Sequence, residues 1–137
     1  MSISEIATKF FDACETGKGA EVCAEWCHEG ATFSCQAGAL ADVTTVSDYA
    51  EWMKGLLGPI PDGRYELTAF AEDNARSTVV AAAVFHGSHT GEGGPIPATG
   101  NVLAADYVYV MKFDGPKIRH MTKIWNDGES LKQLGWA

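Results

Sequence analysis

The chain has 137 residues, 46% hydrophobic and 20% charged, a composition typical of a globular protein and a length that predicts a single domain over residues 1–137. The net charge is −8, and no dense run of Lys or Arg could neutralise a phosphate backbone, which excludes nucleic acid and anionic membranes as partners. No apolar run approaches the ~18 residues of a membrane span. Charged residues interrupt the apolar pattern near the N-terminus, so we expect a cytoplasmic protein without a signal peptide.

The first half of the chain is predicted to be mainly helical. Apolar residues recur at helical spacing over residues 3–14, and Gly17 ends this first helix. A second, short helix is predicted over residues 20–27, closing at Gly30, and a short strand over residues 31–36. A third helix over residues 46–57 stops before a Gly- and Pro-containing segment.

The second half is predicted to form four strands and a final helix. The strands cover residues 64–73, 76–86, 101–113 and 117–126. Helices followed by an antiparallel run of strands indicate an α+β fold with the helices on one face of the sheet. The strand at 76–86 is apolar at nearly every position, so we expect its second face to be covered by another subunit of a homodimer. The Gly-rich loop at 87–100 lacks the lysine of a phosphate-binding P-loop.

The four cysteines do not predict a metal site. Cys23, Cys27 and the neighbouring His28 have helical spacing, but no second Cys/His pair follows as in a zinc site. We therefore expect Cys14, Cys23, Cys27 and Cys35 to be reduced, buried thiols.

Several stretches resemble the SnoaL-like polyketide cyclases of the nuclear transport factor 2-like superfamily. These are "FHGSHTGEGGPIPATG", "DYVYVMKFDGPKI" and "IWNDGESLKQLGW" in the second half, with "ATKFFDACETG" and "WCHEGATFS" similar in the first half. The resemblance implies a curved antiparallel sheet wrapped around helices to form a cone. It also implies a pocket for a small hydrophobic molecule, a homodimer through the sheet, and no need for a metal or cofactor. In the cyclases, an acidic residue at the end of the last strand acts as general acid and base in an aldol ring closure.

Alternation along the last strand predicts which side chains enter the cone. The inward set would be Ile118, His120, Thr122, Ile124 and Asn126. The opposite set carries Lys117, Arg119 and Lys123, and these cations mark it as the outer face. The assignment holds unless a bulge shifts the phase.

By this count the position of the family's acid is occupied by Asn126. An asparagine cannot take up a proton near neutral pH, although it can hold a ligand carbonyl by hydrogen bonding. Asp127 could supply the acid only through a bulge, and its alternative role is to cap the helix that follows. Asn126 and Glu129 also have the spacing of a capping box.

Two histidines complete the predicted catalytic set. His89 matches the family's recurrent histidine near the cone mouth, and His120 faces inward by alternation, so the candidates are His89, His120, Asn126 and Asp127. Asp106 shares a face with Lys112 and is expected to point outward; if a bulge turned it into the cone, it would be the best base candidate in the chain. The predicted pocket lining comprises Trp26, Phe33, Tyr49, Trp52, Met53, Phe85, Tyr107, Tyr109, Met111, Thr122 and Ile124.

Two functions are compatible with this pattern. The first is a cofactor-independent cyclase, isomerase or lyase acting by acid–base chemistry on a small hydrophobic carbonyl compound. The second is a protein that binds or sequesters a small hydrophobic ligand without converting it. The sequence does not identify the ligand.

Overall fold

The computed structural model describes residues 1–137, which form four α-helices and five strands. The helices are Ile3–Glu15 (α1), Ala20–Cys23 (α2), Val46–Leu56 (α3) and Asp127–Leu134 (α4). The strands are Cys27–Cys35 (β1), Arg64–Asp73 (β2), Thr78–Ser88 (β3), Val102–Asp114 (β4) and Lys117–Trp125 (β5). Short 3-10 helices occupy Ala24–Trp26, Gly38–Leu40 and Asn74–Arg76. No helix is long and apolar enough to span a membrane.

The five strands form one curved sheet in the order β1-β5-β4-β3-β2. β2, β3, β4 and β5 pair antiparallel, whereas β1 pairs parallel with β5 at one edge. The predicted α+β fold is confirmed, with this one parallel pair as a difference. Strand pairing shifts register near the middle of β2 and near the start of β5, and such bulges increase local twist and bending.

The helices α1 and α3 pack on the concave face of the sheet. A capping box starts α1, in which Ser2 accepts from the backbone N–H of Glu5 and Glu5 accepts from that of Ser2. The core is one cluster of 29 buried residues, to which α1 contributes Phe10 with no exposed surface. Because truncating such an aromatic side chain costs about 3–5 kcal/mol, Phe10→Ala would remove much of a small domain's stability.

The start of β1 differs from the prediction. The expected helix over residues 20–27 is a four-residue α-helix followed by a 3-10 turn, and β1 already begins at Cys27. Gly30, expected to end the helix, lies inside the strand with φ +73, a value that favours glycine. The loss of regular pairing around this glycine is visible in the register shift between Cys27 and Thr32.

A bulge in β5 decides which side chains enter the cone. Phe113 pairs with Ile118, but the preceding residue Lys112 pairs with His120, so Arg119 is an additional residue on β5. One additional residue reverses the alternation for the rest of the strand. Met121 and Lys123 are therefore buried, while Ile124 is 59% exposed. The predicted inward orientation of His120, Thr122 and Ile124 is wrong for this reason.

Candidate active site inside the cone

A carboxyl group lies deep inside the cone at the end of α1. Glu15 is the last residue of the helix and follows Phe11 by one turn on its buried face, which leaves the glutamate only 1% exposed. Its Oε1 accepts a hydrogen bond from the hydroxyl of Tyr109 on β4. A buried carboxyl needs such a partner because transferring it from water without one is costly.

An amine from the opposite side of the cone approaches the same region. Lys123 on β5 is 6% exposed, and its Nζ donates to the hydroxyl of Tyr49 at 2.8 Å. The Nζ also lies over four aromatic rings, 4.5 Å from the centroid of Trp125 and 5.0–5.3 Å from those of Tyr49, Trp52 and Tyr107. Cation–π attraction of this kind stabilises an ammonium group away from water.

Two tyrosines connect the amine to the carboxyl without a direct ion pair between them. The hydroxyls of Tyr49 and Tyr109 are 2.5 Å apart. Because the single hydroxyl hydrogen of Tyr109 is donated to Glu15, Tyr49 must donate to Tyr109 and accept from Lys123. We call Glu15, Tyr109, Tyr49 and Lys123 the inner cluster; its hydrogen bonds all run in one direction, from the amine to the carboxyl.

Burial shifts both ends of the inner cluster toward their neutral forms. Burial raises the pKa of the Glu15 carboxyl, an effect that the charge of Lys123 and the Tyr109 hydrogen bond oppose. Burial lowers the pKa of the Lys123 ammonium, and the charge of Glu15 opposes this. Desolvation disfavours each charge more than the partner's charge restores it.

The inner cluster borders an apolar cavity. A small cavity of about 30 Å³ is lined by Glu15, Lys123 and Tyr107 among its ten residues. It shares four lining residues with a larger cavity of about 240 Å³, and the two therefore adjoin: Trp52, Leu56, Leu103 and Trp125. The hydroxyl of Tyr107 is buried without a hydrogen-bond partner. The smaller cavity thus presents a carboxyl, an amine and a free hydroxyl to whatever enters.

The C-terminal helix and the residues that follow it form one side of the larger cavity. Leu131, Leu134 and Trp136 line it together with Pro95 from the long loop. Gly135 adopts φ +74 after the last turn of α4, and this left-handed geometry returns the chain so that the Trp136 N–H donates to the Leu131 carbonyl. Other hollows are larger, such as that of about 590 Å³ along residues 90–98, but mostly exposed loop residues line it.

Apart from Thr122 and Ile124, which the bulge in β5 turns outward, the predicted lining residues fall into three groups. Trp52, Met53, Phe85 and Tyr107 line the small cavity. Behind this lining, Tyr49 and Tyr109 belong to the inner cluster. Phe33 and Met111 are buried in the core, where the ring of Phe33 stacks on that of Tyr49 with the centroids 4.5 Å apart. Trp26 packs against the core but lines neither cavity. As expected from its strand, Asp106 is exposed on the outer face.

The outer face of the sheet holds a second polar group, which we call the outer cluster: Thr32, Ser34, His120 and Thr122. The ring of His120 hydrogen-bonds Thr32 at 2.6 Å and Ser34 at 3.1 Å, and Ser34 also contacts Thr122 at 3.0 Å. Burial and then the nearby cations Lys112 and Arg119 lower the pKa of His120. The outer cluster lies on the opposite face of the sheet from the cavity, so His120 and Thr122 do not line it.

His89 is fully buried but serves as an anchor for the C-terminus. Its Nδ1 accepts from the indole N–H of Trp136 at 3.0 Å and from the backbone N–H of Thr99 at 3.2 Å. With both bonds on Nδ1, the proton of the neutral ring is on Nε2, which has no partner. Trp136 lines the larger cavity and His89 does not. The histidine therefore holds a residue that lines the larger cavity.

Asn126 takes the capping role that we predicted for Asp127, and neither residue enters the cone. Asn126 is exposed and caps α4, with its side-chain oxygen accepting from the Glu129 N–H at 3.2 Å. Asp127 accepts instead from the backbone N–H of Ala39 at 2.8 Å, which fixes α4 to the Gly38–Leu40 turn. Neither side chain lines the cavity. The expectation that Asn126 enters the cone is wrong because the bulge at Arg119 moves its neighbour Trp125 to the inner face.

Sequence reasoning missed the two charged residues of the inner cluster. A signal for Glu15 was present, since it continues the helical face of Ala7 and Phe11 and so places a carboxyl on an apolar stripe. Alternation placed Lys123 on the outer face. Its burial depends on the bulge at Arg119, which no residue in the sequence predicts.

The sequence and the fold both relate this chain to one family. The model of the SnoaL-like domain matches residues 7–121. The chain belongs to the SnoaL-like family. Its sheet and helices have the fold of solved structures described as nuclear transport factor 2-like and ketosteroid isomerase-like. Among curated proteins, none matches the sequence.

Solved structures share the fold of this SnoaL-like chain at low sequence identity. AclR, a proposed hydroxylase from Streptomyces galilaeus, superposes with a TM-score of 0.78 at 16% identity over 98% of this chain and 82% of that one. IdmH, a proposed polyketide cyclase from Streptomyces antibioticus, gives 0.78 at 19% identity over 98% and 99%. A protein of ketosteroid isomerase-like fold from Catenulispora acidiphila, in complex with trimethylamine, gives 0.69 at 17% identity over 96% and 92%. At such identity these likenesses establish the fold alone.

Proposed function

We propose that this SnoaL-like protein is an acid–base enzyme that uses its own side chains to move a proton next to the carbonyl group of a small hydrophobic compound. One observation carries the proposal: Glu15 and Lys123 are both buried, and both border the inner end of an apolar cavity. Burying ionisable groups costs several kcal/mol each, so they are poor devices for stability. Titratable pairs perturbed by burial within a cavity are characteristic of functional sites.

The cavity favours a compound of one or two rings. Its larger part, about 240 Å³, is smaller than the roughly 300–1,000 Å³ of pockets for drug-sized ligands. Trp52, Trp125 and Leu103 would contact the apolar body of the compound. The carbonyl would point toward the polar atoms of the smaller cavity, where the unpartnered Tyr107 hydroxyl gains a hydrogen bond.

In the proposed mechanism, Glu15 is the general base. Its carboxylate takes a proton from the carbon beside the ligand carbonyl, and Tyr107 and Lys123 stabilise the negative oxygen that develops. The resulting enolate carbon then either attacks a second carbonyl of the same molecule, as in a ring closure, or is protonated at another position. The raised pKa of Glu15 brings the base closer to the strength that proton transfer from carbon requires.

The structural relatives support this class of reaction, with a different source for the acid. IdmH is named as a proposed polyketide cyclase, and ring closure of a polyketide begins with the same proton abstraction. In the resemblance drawn from the sequence, the acid comes from the end of the last strand. Here Asn126 caps a helix at that place, and we propose that Glu15 of α1 supplies the carboxyl instead.

Deuterium exchange tests the proposal without knowledge of the natural substrate. 1-Indanone, a bicyclic ketone, would be incubated with the protein in D₂O, and loss of its α-proton signal followed by NMR. We expect exchange above the buffer rate, and we expect Glu15→Gln to lower the catalysed rate by about 10²–10⁴-fold. Glu21→Gln, a change to an exposed residue of α2, is the matched control and should leave the rate unchanged. Equal rates in the wild type and Glu15→Gln would contradict catalysis by Glu15.

Binding without conversion is the second candidate function. It is favoured by two observations: the Glu15 carboxylate already accepts from Tyr109, and the cavity beside it measures only about 30 Å³. In the same experiment, chemical-shift changes of cavity residues on addition of 1-indanone, together with exchange at the buffer rate, would identify a binding protein.

We further propose that the protein forms a homodimer through the outer face of its sheet. Val80 pairs with Val110 and Val108 with Ile124 across neighbouring strands, which creates an apolar band on the face away from the helices. Val80 and Ile124 are 36% and 59% exposed in the single chain. Light scattering at micromolar concentration should give the mass of a dimer, and Ile124→Glu should give a monomer. A wild-type monomer would contradict the proposal.

A further inference from the structure

We propose that Lys123 forms a covalent imine with the carbonyl carbon of the ligand, so that the compound is activated as a protonated imine instead of a free carbonyl. The inference deepens the proposed function and rests on it in one respect, since it requires a carbonyl compound in the cone. It assigns the amine a bond-forming role where the mechanism above gives it only an electrostatic one.

The first support is the position of the amine. The Nζ of Lys123 borders the small cavity and makes one hydrogen bond, to Tyr49, and no ion pair with a carboxylate. The surrounding side chains of Trp52, Tyr107 and Trp125 exclude water. An amine in such surroundings reacts with a carbonyl more readily than an exposed, hydrated ammonium does, because its neutral form is favoured and imine hydrolysis is limited.

The second support is the route by which the amine can lose its proton. All three hydrogen bonds of the inner cluster run from Lys123 through Tyr49 and Tyr109 to Glu15. If each proton moves one step along this chain, Lys123 becomes a neutral amine and Glu15 a neutral acid, while both tyrosines remain neutral. Burial favours the neutral form of both end groups, raising the pKa of Glu15 and lowering that of Lys123. The neutral nucleophile therefore forms without a proton leaving the protein.

The same chain supplies the proton that imine formation needs. The lone pair of the Lys123 nitrogen attacks the carbonyl carbon, the C=O π electrons move to oxygen, and proton transfer from nitrogen to that oxygen gives a carbinolamine. Glu15 then donates its proton to the hydroxyl, water leaves, and the nitrogen lone pair closes the C=N bond. The products are a protonated imine, a carboxylate and one water, which balances the carbonyl, the amine and the carboxylic acid consumed. The Glu15 carboxylate is then ready to take the proton from the neighbouring carbon, which the imine has acidified.

Reductive trapping tests the inference directly. The intact protein would be incubated with 1-indanone and sodium cyanoborohydride, which reduces a protonated imine to a stable amine, and the adduct located by peptide mass spectrometry. We expect one equivalent on Lys123, with the other lysines unlabelled. Lys123→Arg keeps a cation in the aromatic surroundings but cannot form an imine, and it should give no adduct. Lys54→Arg, which changes an exposed lysine of α3, should label like the wild type.

Variants that break the hydrogen-bond chain show whether the inner cluster carries protons or only packs in the core. Tyr109→Phe should slow trapping about tenfold or more, because proton supply is lost, while chemical-shift titration should show unchanged affinity for 1-indanone. Glu15→Gln should slow trapping at least as much, because it removes the acid that protonates the carbinolamine. Its pH profile should also extend to lower pH than that of the wild type, since the charge of Glu15 raises the pKa of Lys123. A structural role alone would leave that pH profile in place.

The outcomes distinguish the imine proposal from the acid–base proposal on which it rests. Label on Lys123 supports the imine. Deuterium exchange catalysed without label on Lys123, or label spread over exposed lysines alone, overturns the imine and leaves the acid–base proposal intact. Absence of any binding of 1-indanone or of a smaller probe, cyclohexanone, would overturn both.

Discussion

The inner and outer clusters are two polar groups that lie on opposite faces of one sheet and share the strand β5. The outer cluster joins His120 to hydroxyl side chains at the protein surface. The inner cluster joins Glu15 to Lys123 through two tyrosines where almost no surface is exposed. The outer cluster contains the residue types that suggest catalysis in a sequence. The inner cluster is the one that is buried and borders the apolar cavity.

In these two clusters the environment of a side chain decides its chemistry more than its residue type does. A histidine is suited to proton transfer near neutral pH, but His120 does not line the hollow of about 410 Å³ that Ser34 and Thr122 border on the outer face, whereas Glu15 and Lys123 both line the inner cavity. A glutamate and a lysine are ordinary surface residues until burial moves the pKa of each toward neutrality. The same strand provides both clusters because alternate side chains point to opposite faces.

The largest expected effect separates the two clusters by activity. Glu15→Gln should lower α-proton exchange of 1-indanone by about 10²–10⁴-fold because the base is removed. His120→Gln should leave the rate within about twofold, since the outer cluster does not touch the cavity. NMR exchange rates for both variants measure this, and far-UV circular dichroism confirms that each is folded. A large loss with His120→Gln and none with Glu15→Gln would reverse the assignment.

The next effect concerns stability and its dependence on pH. Lys123→Met removes the charge that lowers the pKa of Glu15, so that pKa should rise further above its unfolded value. A carboxyl whose pKa is higher in the folded than in the unfolded protein contributes most to the free energy of unfolding below its unfolded pKa, about pH 4. This contribution is lost as the pH rises through the folded pKa. The variant should therefore lose up to about 3 kcal/mol relative to the wild type at pH 8, and much less at pH 4.

Denaturant unfolding of wild type and variant at the two pH values measures this difference. The double variant Glu15→Gln/Lys123→Met is the matched control, because it leaves no buried charge and should be as stable as the wild type at pH 8, or more stable. A loss in Lys123→Met that is equal at both pH values would show that Glu15 does not titrate as described.

The helix cap gives a smaller effect. Asn126→Ala should lower stability by about 0.5–2 kcal/mol, the usual cost of removing an N-cap, because the Glu129 N–H loses its acceptor. Binding of 1-indanone should be unchanged, since Asn126 does not line the cavity. Thermal unfolding and chemical-shift titration measure the two properties. A loss of affinity in a fully folded variant would show that Asn126 contributes to ligand binding.

Asn126 and Lys123 show which features of the fold and the site could not be predicted from the sequence. Apolar periodicity and turn residues predicted the α+β fold and the long strands, because those signals repeat over many positions. The faces of β5 depend on one additional residue, Arg119, and the burial of Lys123 and the exposure of His120 both follow from it. The inward orientation of Tyr107 and Tyr109 was predicted from alternation, since β4 pairs with β3 without interruption. Glu15 was recognisable only as a charge on an apolar helical face.

The smallest effect is expected at Tyr107. Its hydroxyl makes no hydrogen bond of regular geometry, although it is near enough to Glu15 to lower the pKa of that carboxyl, so Tyr107→Phe should change stability little. If the hydroxyl binds the ligand carbonyl, the same change should cost about 0.5–1.5 kcal/mol of affinity for 1-indanone. Tyr49→Phe is the contrast, because it removes two existing hydrogen bonds and should lower stability. Unchanged affinity in Tyr107→Phe would place the carbonyl elsewhere in the cavity.

The central claim is that the functional site lies inside the cone, and intermolecular nuclear Overhauser effects test it most directly. With methyl-labelled protein and 1-indanone, we expect contacts from the ligand to the methyl groups of Leu56 and Leu103, which line both cavities. We expect none to Ile124, which is exposed beside the outer cluster. Contacts to Ile124 without contacts to Leu103 would contradict the account and place the ligand on the outer face of the sheet.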